Sequence, residues 1–276
     1  MDAIISLVLA FALSFGLGTL IARTTTGVPV WLLPSVRRFP QSVDGLAAMV
    51  CILLVILAFA TLPWPFHPAG DRAWTGNPAL LWALVEGAFL VPVFAGLLAS
   101  SPLAARAVMR EAQVNIAGRL PLWVVVGSSL WGSAGWTALE IVGRVILFAA
   151  GAVAVAAAAG LGPCEPDTSL SPAGAEEGLD ESDRWLAQMA RQMRAGLALA
   201  LFVVGAVPEP EIVQPGIAAI IAIALFAVLI ACLRYARRTL PHLTMHAIVQ
   251  WCLWRTLPVV RGASVYLELV ARWVRG

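Results

Sequence analysis

Glu86, Glu140, Arg144 and Arg255 each lie inside or at the start of a long apolar run. An ionisable group is expensive at bilayer depth, so where one is found it moves an ion, meets water or clamps helices. Glu86 sits in Leu84-Val85-Glu86-Gly87, with no basic residue within a helical turn. A carboxyl in such a low-dielectric setting tends to stay neutral and can exchange a proton when hydrated, which makes Glu86 a candidate for proton transfer. Glu140 and Arg144 are four apart, hence on one helical face where they can pair. A helix clamp is the favoured reading of that pair, and ion coupling is the other. Arg255 falls in Trp251-Cys252-Leu253-Trp254-Arg255-Thr256-Leu257-Pro258 and joins the coupling candidates. His242 and His246 also share a face, but no third ligand is in reach by sequence, so no metal is expected. There is no phosphate loop, nucleophile elbow or H-E-x-x-H, and no catalytic residue is assigned.

The elements that must position these charges follow from composition. The 276 residues are 60% hydrophobic and 12% charged, against about 25% charged in a soluble domain. Mean hydropathy is +0.86. So few charges could not clothe a water-facing surface, which excludes a soluble enzyme and a nucleic-acid-binding domain. The expected class is an all-α integral membrane protein, a single polytopic domain over 1–276. Four cysteines without a C-x-x-C pair imply neither a disulfide framework nor a cysteine-held cluster.

Apolar runs bounded by Pro, Gly or charge predict eight spans, near 3–22, 46–63, 79–100, 120–135, 138–161, 190–207, 212–234 and 245–265. The turn between the fourth and fifth must be Gly132-Ser133-Ala134-Gly135. The connection over 23–44, with Val30-Trp31-Leu32-Leu33 and Val36-Arg37-Arg38-Phe39, suits a short amphipathic helix on the cytoplasmic surface. All eighteen basic residues are Arg. Odd-numbered connections hold Arg23, Arg37 and Arg38; Arg106, Arg110 and Arg119; Arg184, Arg191 and Arg194; and Arg234, Arg237 and Arg238. Even-numbered ones hold only Arg72, while the C-terminus adds Arg272 and Arg275. The positive-inside rule then puts odd connections in the cytoplasm and both termini outside. The acidic stretch at 162–189, with Glu176 and Glu177, becomes a cytoplasmic loop. Arg37, Arg38, Asp44, Arg106, Arg110, Glu111 and Arg119 offer a docking surface of both signs, which registers a partner more than it supplies affinity.

Two stretches carry a resemblance. Gly96 to Ala112 reads GLLASSPLAARAVMREA, followed by Leu120-Pro121-Leu122. It resembles the connection between the third and fourth spans in the membrane anchor subunit of energy-converting hydrogenases of the formate hydrogenlyase type. Arg237 to Pro258 reads RRTLPHLTMHAIVQWCLWRTLP and looks like the end of the homologous quinone-chamber subunit of respiratory complex I. Val43-Asp44-Gly45-Leu46 and Pro63-Trp64-Pro65-Phe66 are weaker echoes. The family's acid at the end of the first span is absent, since this chain runs Leu20-Ile21-Ala22-Arg23, and Arg119 stands where relatives place a Glu. Only Glu176 and Glu177 remain of a Glu-rich loop.

The resemblance implies a subunit at the heel of an L-shaped complex in a bacterial cytoplasmic membrane. Such a subunit anchors soluble redox subunits on the cytoplasmic face, adjoins antiporter-like membrane subunits and helps couple electron transfer to proton or sodium translocation. The coupling candidates are then Glu86, Glu140, Arg144, Glu176, Glu177 and Arg255. Iron–sulfur clusters are expected in partner subunits, none in this chain, and a quinone is the possible further cofactor. The alternatives are a quinone-reactive subunit of a complex I variant, or a stand-alone transporter using Glu86 and the Glu140–Arg144 pair.

Overall fold

A computed structural model describes residues 2–25, 42–64, 76–98, 102–132, 135–164, 179–208, 213–241 and 243–275. Among the described residues 89% are helical and none lies in a strand. The helices are α1 (Asp2–Thr25), α2 (Val43–Thr61), α3 (Pro78–Leu97), α4 (Pro102–Leu130), α5 (Ala138–Ala159), α6 (Glu181–Ala206), α7 (Pro215–Thr239), α8 (Met245–Gln250) and α9 (Leu257–Arg275). A π-helical segment, Trp251–Thr256, joins α8 to α9 without a break. This is an all-α membrane protein.

Local chemistry sets the ends. Ser42 caps α2 by accepting from Gly45 N–H at 2.9 Å. Asn77 caps α3 through the N–H groups of Ala79 and Leu80, both at 3.1 Å, with Pro78 preset for the first turn. α5 stops at Gly160, whose φ of 62° is left-handed and suits a residue without Cβ. Arg237 and Arg238 fall in the last turn of α7, where they complement the helix dipole. Thr244 caps α8 by accepting from Ala247 N–H at 3.4 Å.

Each of the eight expected spans overlaps a helix, the eighth running through α8, the π segment and α9. Five stretches are long and apolar enough to cross a membrane: Val43–Thr61, Pro78–Leu97, Ala138–Cys164, Glu181–Ala206 and Pro215–Thr239, while the apolar Ile5–Ile21 is shorter. Two boundaries are corrected. The polar stretch from Arg106 to Arg119 is helical and extends α4 toward its N-terminus, because neither Gly nor Pro interrupts 103–117. The acidic loop expected over 162–189 ends earlier, since α6 already begins at Glu181. The surface helix expected over 23–44, with Arg37 and Arg38, and the acids Glu176 and Glu177 lie outside the described residues, apart from the end of α1 and the start of α2.

The chain divides into two compact units. The first comprises Met1–Pro63, His67–Ala112 and Pro166–Leu197. There α2 packs on α3 and α1 on α2, with Cys51 Sγ on Ala88 O at 3.1 Å. The second comprises Trp64–Phe66, Gln113–Glu165 and Ala198–Gly276. Its helices approach closely at glycines. A Cβ on Gly118 would run into the Ala158 backbone, and one on Gly143 would come within 2.7 Å of the Leu267 side chain, so α5 lies nearly in backbone contact with α4 while side chains of α9 press on the α5 backbone.

Candidate functional site

In the first unit, three charged residues of α4 and α6 meet. Arg191 and Arg194 are three apart, so they project from one side of α6. Glu111 reaches from α4 to both: Oε2 lies 3.4 Å from Arg191 and Oε1 3.5 Å from Arg194. The Arg194 side chain is 8% exposed and that of Glu111 14%. The guanidinium of Arg194 also stands over the Phe89 ring, 5.4 Å from its centroid. Burial pushes the Glu111 carboxyl up, but the two guanidinium groups more than reverse this and leave it below the ordinary value of 4.5. Glu111 belongs to the polar half of α4, ahead of the apolar stretch from Leu120.

Beside this cluster is a cavity of about 60 Å³, room for a few waters. Asp44, Glu111, Arg191 and Arg194 give it charge, while Ala48, Val93 and Val108 are among its apolar walls. It is smaller than the pockets that hold drug-sized ligands. Next to Asp44, Ser42 Oγ donates to Asp183 Oδ2 while accepting from Gly45 N–H. Asp183 is buried. One side of α6 thus presents Asp183, Ala187, Arg191 and Arg194 in succession.

These contacts tie together chain segments that the arginine pattern puts on one side of the membrane. Ser42 ends the first connection, Glu111 belongs to the third, and Asp183 and Arg191 to the fifth. In the second unit, Leu243 N–H of the seventh connection donates to Pro163 O at the start of the fifth, at 3.0 Å.

The Glu140–Arg144 site is different. Both are buried, at 2% and 4% exposure, around one peptide. Glu140 accepts from Gly135 N–H at 2.7 Å, Thr137 N–H at 2.9 Å and Thr137 Oγ1 at 2.7 Å. Arg144 Nε donates to Gly135 O at 3.2 Å and the guanidinium lies 4.4 Å from the Trp136 ring centroid. The carboxylate therefore closes the N-terminal turn of α5, in the manner of a capping box. The geometry is that of a clamp.

Glu86 is half-buried on α3. Arg255 is exposed and stacks on Trp251, 4.7 Å from its centroid. Of the docking candidates, Arg106 and Arg110 are exposed, whereas Arg119 is buried and Glu111 is engaged inside the first unit. Those last two do not offer the free surface the sequence suggested. Arg191, Arg194 and Asp183 are the residues the sequence reading missed. The signal was there: two arginines three apart at the head of the run Met189–Ala206.

Among solved structures, a chain of the membrane-bound sulfane sulfur reductase, an archaeal respiratory membrane complex, superposes with a TM-score of 0.61. The match covers 96% of this chain and 98% of that one at 14% identity. The two share a fold from end to end. No protein-family model matches the sequence, and no characterised protein matches it in sequence.

Proposed function

We propose that this protein is a membrane subunit of a respiratory-type complex, of the kind represented by complex I and the energy-converting hydrogenases. In this reading it holds a cytoplasmic electron-transfer module against the bilayer and couples that module to proton or sodium movement. The observation that carries the reading is the fold match along nearly the whole of both chains to a chain of a respiratory membrane complex. Iron–sulfur clusters belong to the soluble partners, and antiporter-like subunits adjoin the chain in the membrane.

Extraction from native membranes in mild detergent tests the assembly. Iron–sulfur and antiporter-like subunits should co-purify with this chain, and recovery of this chain alone overturns the reading. Coupling is tested at Glu86, because Gln keeps the shape and hydrogen bonding of Glu but cannot titrate. Glu86→Gln should leave assembly intact and lower the ions moved per electron. Unchanged translocation in the assembled variant would remove Glu86 from the coupling path.

A further inference from the structure

Of the five stretches able to cross a membrane, Pro215–Thr239 is the least covered, with 22% of its apolar length buried. Ala218, Ala222 and Leu229 form its inner side within the second unit. The opposite side of α7 is one continuous stripe. Ile217, Ile220, Ala224, Ala227 and Ala231 are exposed and recur at three or four residues, so they align along the helix. The same stripe ends on Arg234, Tyr235 and Arg238, all exposed, with Tyr235 at 70%. On the flank, a Cβ on Gly162 would come within 3.3 Å of Leu233 O. The turn Gly162–Cys164 therefore covers the Leu233 side and leaves Arg234 and Arg238 open.

The helix itself sets the level of these groups. Arg234 lies nineteen residues beyond Pro215, and no charged residue stands between them. That is about 28 Å along a helix rising ~1.5 Å per residue, close to a hydrocarbon thickness of roughly 30 Å. Arg234 and Arg238 therefore emerge in the head-group layer, where an exposed tyrosine is also at home. α7 holds no Asp or Glu, so it does not neutralise them from within. The two guanidinium groups stand one turn apart, and each offers a fork of N–H donors that matches a phosphate. Deeper in the bilayer, the small side chains of Ala224, Ala227 and Ala231 leave a furrow between Ile220 and Tyr235 that suits an acyl chain. Charge complementarity at the end and the apolar stripe leading to it select the same occupant.

We infer that the exposed stripe of α7 is a binding site for an anionic phospholipid, with its phosphate held by Arg234 and Arg238 and an acyl chain along Ala231, Ala227 and Ala224. The arginine pattern places this end of α7 in the cytoplasmic leaflet, where basic residues attract anionic lipid. The inference goes beyond the subunit reading and does not depend on it.

The test is photo-cross-linking of the full-length chain, with any subunits that accompany it, in nanodiscs of phosphatidylcholine containing a minor share of phosphatidylglycerol. Tyr235→benzoylphenylalanine should capture lipid, and the adduct masses should show phosphatidylglycerol enriched roughly tenfold over its share of the bilayer. Arg234→Gln with Arg238→Gln should return the captured lipid to the bulk ratio. Arg261→Gln with Arg272→Gln removes the same charge from exposed positions of α9 and should leave the enrichment unchanged. Capture of phosphatidylglycerol at its bulk share, or an equal fall with the α9 pair, overturns the inference. Capture of another subunit at 235 in place of lipid also overturns it, while supporting the subunit reading. Recovery of this chain alone, with the enrichment intact, removes the subunit reading and leaves the lipid site standing.

Discussion

The two units bury acid and arginine in opposite ways. In the second, Glu140 and Arg144 both turn onto the chain that leads into α5, and between them satisfy the N–H and the C=O of Gly135. Their charges are spent on local backbone. In the first, Glu111 faces two guanidinium groups across separate helices, next to a cavity that Asp44 also lines. Spacing at i, i+4 made the local pair conspicuous, yet the cluster built from distant residues holds the group that bridges elements and the room for water. Proximity in sequence favours capping, whereas proximity across helices favours coupling.

That contrast makes a graded set of expectations. Glu111→Ala takes the carboxylate away from buried Arg194 and from partly exposed Arg191, and breaking a buried pair costs about 3–5 kcal/mol. It should give the largest fall in thermal stability of the detergent-purified protein, and a melting temperature within a degree or so of wild type would show the cluster to be solvated. The same residue sets an acid limit. Its carboxyl lies below the ordinary value of 4.5 in the folded protein, so its contribution is complete above that value and is lost as pH falls through the lower, folded one. Glu111→Gln should flatten the acid limb of a stability-against-pH curve, and an unchanged limb would assign acid sensitivity to other carboxylates.

Glu140→Ala should cost less, roughly 1–2 kcal/mol, because a lost cap frays one helix end. Hydrogen exchange should rise in the first turn of α5 and stay level in α6. Exchange rising in both would contradict the local character of the clamp. Smallest in stability is Arg106→Glu with Arg110→Glu. Both side chains are exposed, so the folded chain should be unaffected within about 0.5 kcal/mol. Binding of the cytoplasmic module should weaken, most visibly at low salt. Equal binding at all ionic strengths would take the docking role away from this surface.

The fold was largely legible in the sequence because lipid solvation leaves long apolar runs between Pro, Gly and Arg. Each expected span overlaps a helix, and Gly132 and Gly135 fall between α4 and α5. What escaped was the polar part. Arg106 to Arg119 has the helix-forming Ala and Arg content to continue α4 but reads as a connection when only hydropathy is followed. Arg191 and Arg194 served the charge count on the cytoplasmic side and were passed over as partners, because Glu111 stands about eighty residues away and helical spacing cannot link them. Glu111 itself looked like surface for the same reason. A charged residue flanked by charges in sequence can still be turned inward by the packing of its helix.

Native mass spectrometry of digitonin-extracted membranes tests the central claim most directly. The subunit account predicts that this 29.2 kDa chain appears in a heteromeric assembly, in fixed ratio to an iron–sulfur-containing subunit, and that it is released only with harsher activation. A spectrum dominated by the monomer or by multiples of its own mass, with no iron-containing partner, would contradict it.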